Sequence, residues 1–498
     1  MMYTPHFRNA AHLALFLLIF FIFIPTPHAS SYQMDLDILT FYVPDNPRRL
    51  AQGDNIFAIQ CDRVDLYHPA RMVQGNKNFL SCTVSYENVL NSDGSEWENI
   101  FIKSRESTLQ GMIHNKFDGF IHKFSFGFQY AYDKATGKAD YTEDNFELDY
   151  GSTIRRTLLA CGIESRTFFS CGGGIEEYDN RTVVFWEAAL RKPSIYEIGL
   201  RNFSRKFDLD FNIAKEGVEG RIPIKYSEDV LEIMTKLHFS DKLMVYGVID
   251  RKHDQRRKLG VYAYMTQRCT LAYLRAYGSF DYHQDLYVNG EASGHNNGEA
   301  DYSLWSAALQ YKRSGETTYY FAMKRIDFFS ESAGLVETEE IVNFWENLLA
   351  GKRYFNYSIG IDSTAYHMGV ERKRGNMVTL RGGLQYIEME PEGLFDNWTP
   401  FPFTGLGRLD EYVKELSYTE ITFGVIALGF SLRIKSVEVT YGFTQFIPLS
   451  MKKRGGEGGE SEEKKGSTLE WEDIEEVWDS IKDTPGGTFH GVEVIWYF

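Results

Sequence analysis

From residue 117 onward, apolar and polar side chains alternate along the chain with a period of two. The stretch from Lys123 to Asp133 shows this most clearly, because its even-numbered positions are all aromatic and its odd-numbered positions are small, polar or charged. Successive side chains of an extended chain point to opposite faces of a sheet, so this pattern predicts a strand with one apolar and one polar face. The alternation recurs at residues 196–201, 207–214, 355–362, 378–386 and 437–444. We therefore predict a chain that is nearly all β.

Short polar segments join several of these predicted strands, which is the spacing of hairpins between antiparallel neighbours. Counting the alternating segments gives about 14 to 18 strands in a meander. Beyond the N-terminal region, three stretches break the period of two. Residues 337–350 place apolar side chains at helical spacing, and residues 405–416 are interpreted as a second short helix. Residues 452–487 form a Gly/Glu/Lys tract with a short amphipathic helix, which predicts a long loop.

Alternation alone fits both a soluble β-sandwich or propeller and a membrane-spanning barrel. A soluble sheet covers its apolar face with a second layer and usually exposes a face rich in Lys, Glu and Thr. Here the polar face is dominated by Gly, Ser, Ala, Thr and Gln, which suit a lumen, and the apolar face carries Tyr, Phe and Trp, which suit interfacial girdles. The predicted fold is an all-β, transmembrane, antiparallel up-and-down barrel with a small N-terminal luminal segment. A secreted soluble β-protein is the alternative.

The N-terminus has the pattern of an export signal. His6 and Arg8 precede an apolar run from Leu13 to Ile24, and small residues follow at positions 29–31. The run has about 12 residues, too few for a bilayer that requires about 20, so we expect a removed signal peptide rather than an anchor. The expected organisation is a signal peptide at 1–31, an N-terminal periplasmic or luminal segment at 32–78, and a barrel at 79–498 with a long loop at 450–488.

Composition and charge narrow the classes of function. Aromatic residues make up 15 % of the chain, which excludes a disordered chain, a coiled coil or a collagen-like rod. The formal net charge is −16, so phosphate backbones are repelled and nucleic acid is not an expected partner. The five cysteines lack the paired spacing of a zinc site, and neither a cofactor nor a metal is expected. They are either isolated strand residues or form one or two disulfides, with Cys161 and Cys171 as the first candidate pair.

The last strand predicted by the alternation places Val492, Val494, Trp496 and Phe498 on one face. It resembles the terminal signal of bacterial outer-membrane β-barrels, in which the final strand has alternate apolar residues and ends in Phe. The resemblance implies a bacterial outer-membrane location, in contact with outer-membrane lipid and lipopolysaccharide. It also implies that Val494, Trp496 and Phe498 form the signal that the barrel-assembly machinery engages.

A second resemblance concerns residues 48–70. Arg48–Asp54, then Asp62, then Leu66–Ala70 resemble the N-terminal stretch of the fatty-acid-transporter-like outer-membrane barrels, which include transporters of long-chain fatty acids and aromatic hydrocarbons and related secretion-system barrels. The sequence departs from that pattern at His68, where Asn is usual. The resemblance implies that residues 48–71 fold into the lumen as a hatch and that the barrel has about 14 strands. The candidate hatch residues are Asp62, Tyr67, His68 and Pro69.

Three functions are compared. Passive transport of a small hydrophobic molecule is favoured, because a barrel of this size encloses a lumen that a hatch can close. A non-conducting platform for a secretion system or surface protein is the alternative, with residues 452–487 as its docking loop. An enzyme is not favoured, since the sequence has no GxSxG, HExxH, P-loop or complete EF-hand pattern. The candidate lumen residues, which could equally form structural salt bridges, are Arg201, Asp208, Asp210, Asp362 and Arg381.

Overall fold

The computed structural model describes most of the chain from residue 66 to the C-terminus. The described residues are 66, 69–73, 75, 77–90, 97–141, 146–166, 169–178, 181–192, 195–215, 218–240, 242–250, 257–288, 291–336, 353–400, 408–415, 418–453 and 486–498. Several predictions lie outside them: the signal peptide at 1–31, the hatch residues Asp62, Tyr67 and His68, the helix at 337–350, and most of the loop at 450–488.

Nineteen strands and one short helix are described. They are α1 (Pro69–Met72), β1 (Phe79–Leu90), β2 (Trp97–Lys116), β3 (Ile121–Tyr141), β4 (Phe146–Ser165), β5 (Phe169–Tyr178), β6 (Arg181–Lys192), β7 (Tyr196–Lys215), β8 (Val218–Ser240), β9 (Leu243–Asp250), β10 (Arg257–Tyr264), β11 (Cys269–Val288), β12 (Glu291–Lys312), β13 (Thr317–Val336), β14 (Arg353–Arg374), β15 (Val378–Pro400), β16 (Arg408–Glu415), β17 (Tyr418–Ile434), β18 (Val437–Lys453) and β19 (Gly486–Tyr497). Within the described residues, no helix has the length and hydropathy that crossing a membrane requires.

Eighteen of these strands form one closed antiparallel ring. The ring closes because β1 pairs with β2 on one side and with β19 on the other, from Phe79 opposite Tyr497 to Leu90 opposite Gly486. Among the described strands, β16 pairs with β15 alone and stands beside the ring. Closure satisfies the backbone groups of every strand edge within the wall. The predicted all-β barrel is therefore confirmed, with eighteen strands at the upper limit of the range counted from the alternation. The fourteen strands implied by the resemblance of residues 48–70 are wrong for the complete ring.

Two short hairpins widen one end of the ring. β4 pairs with β5 over Arg156–Glu164 but with β7 over Phe146–Tyr150, so the β5–β6 hairpin ends part-way up the wall. β8 passes in the same way from β9 to β11, past the β9–β10 hairpin. With these four strands bypassed, fourteen of the eighteen continue to the other end. Because barrel diameter grows with strand number, the wall narrows in that direction.

Short connections identify the wide end. Successive strands there are separated by two to four residues: 117–120, 166–168, 193–195, 241–242, 265–268, 313–316, 375–377 and 435–436. We call this the short-turn end, and the opposite one the long-loop end, since it carries the connections at 337–352 and 454–485. Phe498 N donates to Asn78 O over 3.2 Å, which places both ends of the ring at the short-turn end. Gly375 and Lys435 adopt positive φ in these tight turns, as two of the predicted hairpins require.

One predicted helix is wrong. Residues 408–415, within the stretch interpreted as helical, form β16 instead. The reason lies in the neighbouring strand: β15 pairs with β17 only as far as Met389 opposite Ile421, and beyond that point β16 pairs with Leu394–Pro400. An available sheet edge therefore overrides the local preference of this segment.

Candidate functional site: the interior of the barrel

The outward face of the wall carries exposed, large apolar side chains. On β3, Phe126 and Tyr130 are 39 % and 45 % exposed, whereas the inward residues Ser125 and Gln129 are 0 % and 6 % exposed. A water-soluble protein arranges its faces the other way round. A continuous exposed apolar surface on a closed barrel, together with a polar interior, is the arrangement that a lipid bilayer selects. The chain is a membrane-type β-barrel.

The wall is taller than the lipid. β3 and β15 contain 21 and 23 residues; at about 3.3 Å per residue and a tilt of about 40°, such strands rise about 50 Å, twice the roughly 25 Å of an apolar band. Toward the long-loop end the outward face becomes polar, and Asp327, Asp362 and Glu390 form one row across β13, β14 and β15. This part of the wall extends beyond the membrane.

The inward face of that extension is apolar. Ile361, Ile387, Met389 and Val425 are between 1 % and 4 % exposed and point into the barrel. They belong to one cluster, here called the apolar lining, that follows the inner wall from β9 to β19. Its members are Met244, Tyr262, Ala272, Leu274, Ala276, Tyr302, Leu304, Ala308, Tyr320, Ile326, Ile361, Ala365, Ile387, Met389, Ile421, Val425 and Phe489. These apolar side chains are therefore buried inside the barrel, where membrane lipid does not reach them.

Along β14, the apolar side chains change from the inward face to the outward face of the barrel wall. The sequence predicts Ile359 and Ile361 on the lipid face, and this is wrong, because both are buried on the inward face while Tyr366 and Met368 are exposed outward. β14 pairs with β13 and β15 without a register shift, so no bulge causes the change. The backbone alternation is continuous, and the surroundings change instead, since lipid contacts one part of the strand and water the other.

Asp362 is consequently not a lumen residue. It lies on the outward face of β14, where Arg325 donates to its carboxylate and to Asp327 as well. The prediction failed because it assumed that the polar face of β14 points inward along the whole strand. Asp208 and Asp210 lie on β7, but their side chains are outside the described part of the structure.

Arg201 and Arg381 both lie on the inward face, and both are paired. Arg201 Nη2 is 2.6 Å from Glu232 Oε2 on the adjacent strand β8, with both side chains 6 % exposed. Arg381 Nε donates to Glu371 over 2.9 Å, and its Nη1 donates to Ser431 Oγ over 2.6 Å. Charges taken out of water require such partners. These two arginines are therefore neutralised within the wall.

Part of the N-terminal segment lies inside the barrel. α1 contacts β4, β5 and β6, and Ala70, Met72 and Val73 are fully buried. Ala70 N donates to Glu187 Oε2 on β6 over 3.0 Å, which satisfies one of the unpaired N–H groups at the start of the helix. Pro69, the described member of the predicted hatch residues, begins this helix.

Glycines on the inward face make room for the segment. A Cβ on Gly162 would lie 2.1 Å from Pro69 O, and one on Gly127 would lie 2.2 Å from Leu66 Cδ2. Glycine is required at position 162, where the contact is with backbone, whereas a side chain at position 127 would force the Leu66 side chain to move. On the same side, buried Lys123 donates to Gly75 O. The described part of the N-terminal segment is thus held by close packing and by hydrogen bonds that include those with Glu187 and Lys123.

The cysteines and metal sites can be assessed for the described residues. Cys82, Cys161, Cys171 and Cys269 are free. Cys161 lies opposite Gly173, and Cys171 opposite Ile163, so the first candidate pair is diagonal rather than directly cross-strand and is not bonded. The described residues contain no group of three His, Cys, Asp or Glu side chains able to hold a metal ion.

Sequence reasoning missed the residues that define this interior. Glu187 sits in an ordinary alternating strand, and its contact with Ala70 spans 117 positions, so no local signal could reveal it. The apolar lining had one signal, the change in phase of apolar positions between Ile361 and Tyr366.

Several solved structures are similar to this chain over most of its length. The structure of Pseudomonas aeruginosa OccK7 (OpdD) shares 8 % identity and a TM-score of 0.40, covering 85 % of this chain and 98 % of its own. A Pseudomonas aeruginosa FadL homologue shares 9 % identity and a TM-score of 0.34, covering 91 % and 95 %. The Pseudomonas putida toluene transporter TodX shares 10 % identity and a TM-score of 0.32, covering 90 % and 96 %.

These similar structures include a FadL homologue and an aromatic-hydrocarbon transporter, the kinds of barrel that residues 48–70 resemble. Identities of 10 % or less and TM-scores of 0.40 or less do not assign a family, so the architecture rests on the strand pairing itself. No protein-family model matches the sequence, and no curated protein is similar to it.

Proposed function

We propose that the chain is a bacterial outer-membrane barrel through which small hydrophobic molecules pass without an energy source. The observation that carries this proposal is the apolar lining, which covers inward positions from β9 to β19. Lipid outside the wall cannot account for apolar side chains inside it. A hydrophobic solute that displaced the present neighbours of these side chains would bury its own apolar surface against them, which contributes about 25 cal/mol per Å².

The ion pairs favour an uncharged cargo. A fatty-acid carboxylate would need a cation with an open hydrogen-bonding site. Arg381 already engages Glu371 and Ser431, and Arg201 engages Glu232. The positive charge of each of these two predicted lumen arginines is therefore already balanced by a carboxylate.

The export pattern at 1–31 and the apolar final strand support placement in the outer membrane, with the short-turn end toward the periplasm. The N-terminal segment then acts as the hatch at that end. Its described part contacts Glu187 and Lys123, and a rearrangement of the segment that breaks these contacts would open a path.

A non-conducting platform is the second candidate, and a specific observation favours it. Ala70, Met72 and Val73 are 0 % exposed, so this part of the segment is packed as tightly as a protein core. A barrel that never opens would have the same packing.

Single-channel conductance across planar bilayers tests the proposal. The full chain is compared with a chain lacking residues 32–71 and with Gly162→Leu, whose side chain would collide with Pro69 O. Gly382→Leu is the matched control, because the nearest atom to a Cβ there is 3.7 Å away on the outer wall. We expect low conductance for the full chain and the control, and higher conductance for both hatch variants.

Addition of toluene, an uncharged aromatic, then tests the lining. We expect it to reduce the current of the hatch variants, and Ile387→Asn to weaken that block, whereas Leu384→Asn on the outer face should not. Current that stays absent in both hatch variants would overturn transport and favour the platform. Conductance without toluene block would mean that the lining does not bind hydrophobic solutes.

A further inference from the structure

A groove lies on the outer surface of the barrel, within the lipid-facing band. It extends from β10 to β15 and has a volume of about 830 Å³. Ala307 forms its floor, because this small outward residue stands in register between Tyr273 on β11 and Met323 on β13. Tyr366 and Tyr386, whose ring centroids are 6.5 Å apart, form the far wall. The volume is within the roughly 300–1,000 Å³ typical of small-molecule sites.

Two arginines border the groove on its long-loop side. Arg275 follows Tyr273 by two residues on the same outward face, opposite Trp305. Arg257 lies on β10, diagonally next to Arg275, at a Cα distance of about 7–8 Å for such neighbours. Its Nη1 donates to Tyr277 Oη over 3.2 Å. Both arginines are exposed at the level where the outward face changes from apolar to polar.

The arginines near this level differ in whether a carboxylate neutralises them. Arg325, in register with Trp305 on its other side, is held by Asp327 and Asp362. Within the described part of the chain, neither Arg257 nor Arg275 forms an ion pair with a carboxylate. Two unneutralised guanidinium groups therefore lie at the margin of the lipid-facing band, Arg275 opposite Trp305 and Arg257 on the other side of β11, at the level of lipid phosphates.

We propose that this groove binds one anionic, phosphate-bearing lipid of the leaflet at the long-loop end. An acyl chain of the lipid occupies the groove over Ala307, and Arg257 and Arg275 bind its phosphate. Charge complementarity identifies the headgroup, and continuity with the lipid-facing band identifies the apolar part. The proposal rests on the membrane placement of the outward face and not on transport, so a barrel that conducts nothing would still bind the lipid.

The phosphate and acyl chain could belong to lipid A or to a glycerophospholipid, and native mass spectrometry distinguishes these sources. The full chain in detergent micelles is titrated separately with lipid A, phosphatidylglycerol and phosphatidylcholine. The variants are Ala307→Trp, which fills the groove, and R257Q/R275Q. The controls are Ala188→Trp, on the outward face of β6 outside the groove, and Arg155→Gln, an outward arginine that likewise lies over a tyrosine ring, at 5.8 Å.

We expect one tightly bound molecule of lipid A or phosphatidylglycerol, and we expect R257Q/R275Q to weaken its binding about tenfold relative to the unchanged chain. The same variant should change phosphatidylcholine binding much less, because the choline cation already balances the phosphate of that lipid. Ala307→Trp should weaken all three lipids, and the controls should match the unchanged chain. Heat-modifiable migration in electrophoresis verifies that each variant has folded. Binding of lipid A alone, or of phosphatidylglycerol alone, identifies the source. Equal affinity of both groove variants and the unchanged chain for every lipid would overturn the proposal.

Discussion

Residues that are neighbours in sequence can have opposite environments in this protein, because they lie on opposite faces of the barrel wall. Glu187 is 1 % exposed inside the wall, whereas Trp186 next to it in sequence is 40 % exposed to the membrane. A buried carboxylate is tolerated because it accepts a hydrogen bond from Ala70 N. The inward polar residues therefore stabilise the fold through their contacts as well as line the interior. Each of these contacts can be tested by a separate substitution.

The Arg201–Glu232 pair gives the prediction at this scale. Arg201→Met removes the guanidinium and leaves the Glu232 carboxylate buried without its counter-ion, so the free energy of unfolding should fall by about 3 kcal/mol. Arg201→Met/Glu232→Met should recover part of that loss, because it removes one of the two buried carboxylates, Glu187 and Glu232, that lie in register on either side of Arg201. Urea unfolding of the protein in lipid vesicles, followed by tryptophan fluorescence, measures both. Equal stability of the single and double variants would contradict this reading of the pair.

At the scale of elements, β14 contains the boundary between lipid and water. Its outward residues are Met368 and Tyr366 toward the short-turn end and Asp362 and Ser358 toward the long-loop end. Since the strand has no register shift, these four positions face the same side of the wall. One strand therefore contains a test position and its own control.

Met368→Arg places a charge on the lipid-facing part of β14, and Ser358→Arg places the same charge beyond the lipid. Arginine on the lipid face of a barrel costs about 2–4 kcal/mol near the bilayer midplane and close to zero at the interface. We expect Met368→Arg to lower the free energy of unfolding in vesicles by about 2 kcal/mol and Ser358→Arg to leave it nearly unchanged. A comparable loss in both variants would move the membrane boundary away from Tyr366.

The elements were largely predictable, and the exceptions have physical reasons. Alternation at residues 123–133 identified β3 and its lipid face, because period two is a property of the extended backbone itself. β16 was missed because Leu409, Tyr412 and Val413 have helical spacing, and the pairing with β15 that overrides it is a tertiary effect. The inward direction of Ile361 was missed because a sequence shows two faces without showing which solvent surrounds each one.

At the scale of the whole molecule, these features are arranged along the barrel axis, from the short-turn end to the long-loop end. The wall has eighteen strands at the short-turn end, where the described part of the N-terminal segment packs against β4, β5 and β6. It continues with fourteen strands toward the long-loop end, where the apolar lining faces inward and acidic residues face outward. The barrel class and a range of 14 to 18 strands followed from the sequence. The exact strand number and the narrowing did not, because they depend on which distant strands meet beyond each short hairpin.

The central claim is that the apolar face of the strands points outward into lipid. Nitroxide labels at single cysteines, introduced in a cysteine-free background, measure this directly through their collision rates with oxygen, which concentrates in lipid, and with a nickel complex, which remains in water. The positions are Phe126, Tyr130 and Leu384 on the outward face, and Ser125, Gln129 and Gln385 on the inward face. The account predicts high oxygen and low nickel accessibility at the first three and low oxygen accessibility at the other three. High oxygen accessibility at the inward positions, or none at the outward ones, would contradict it.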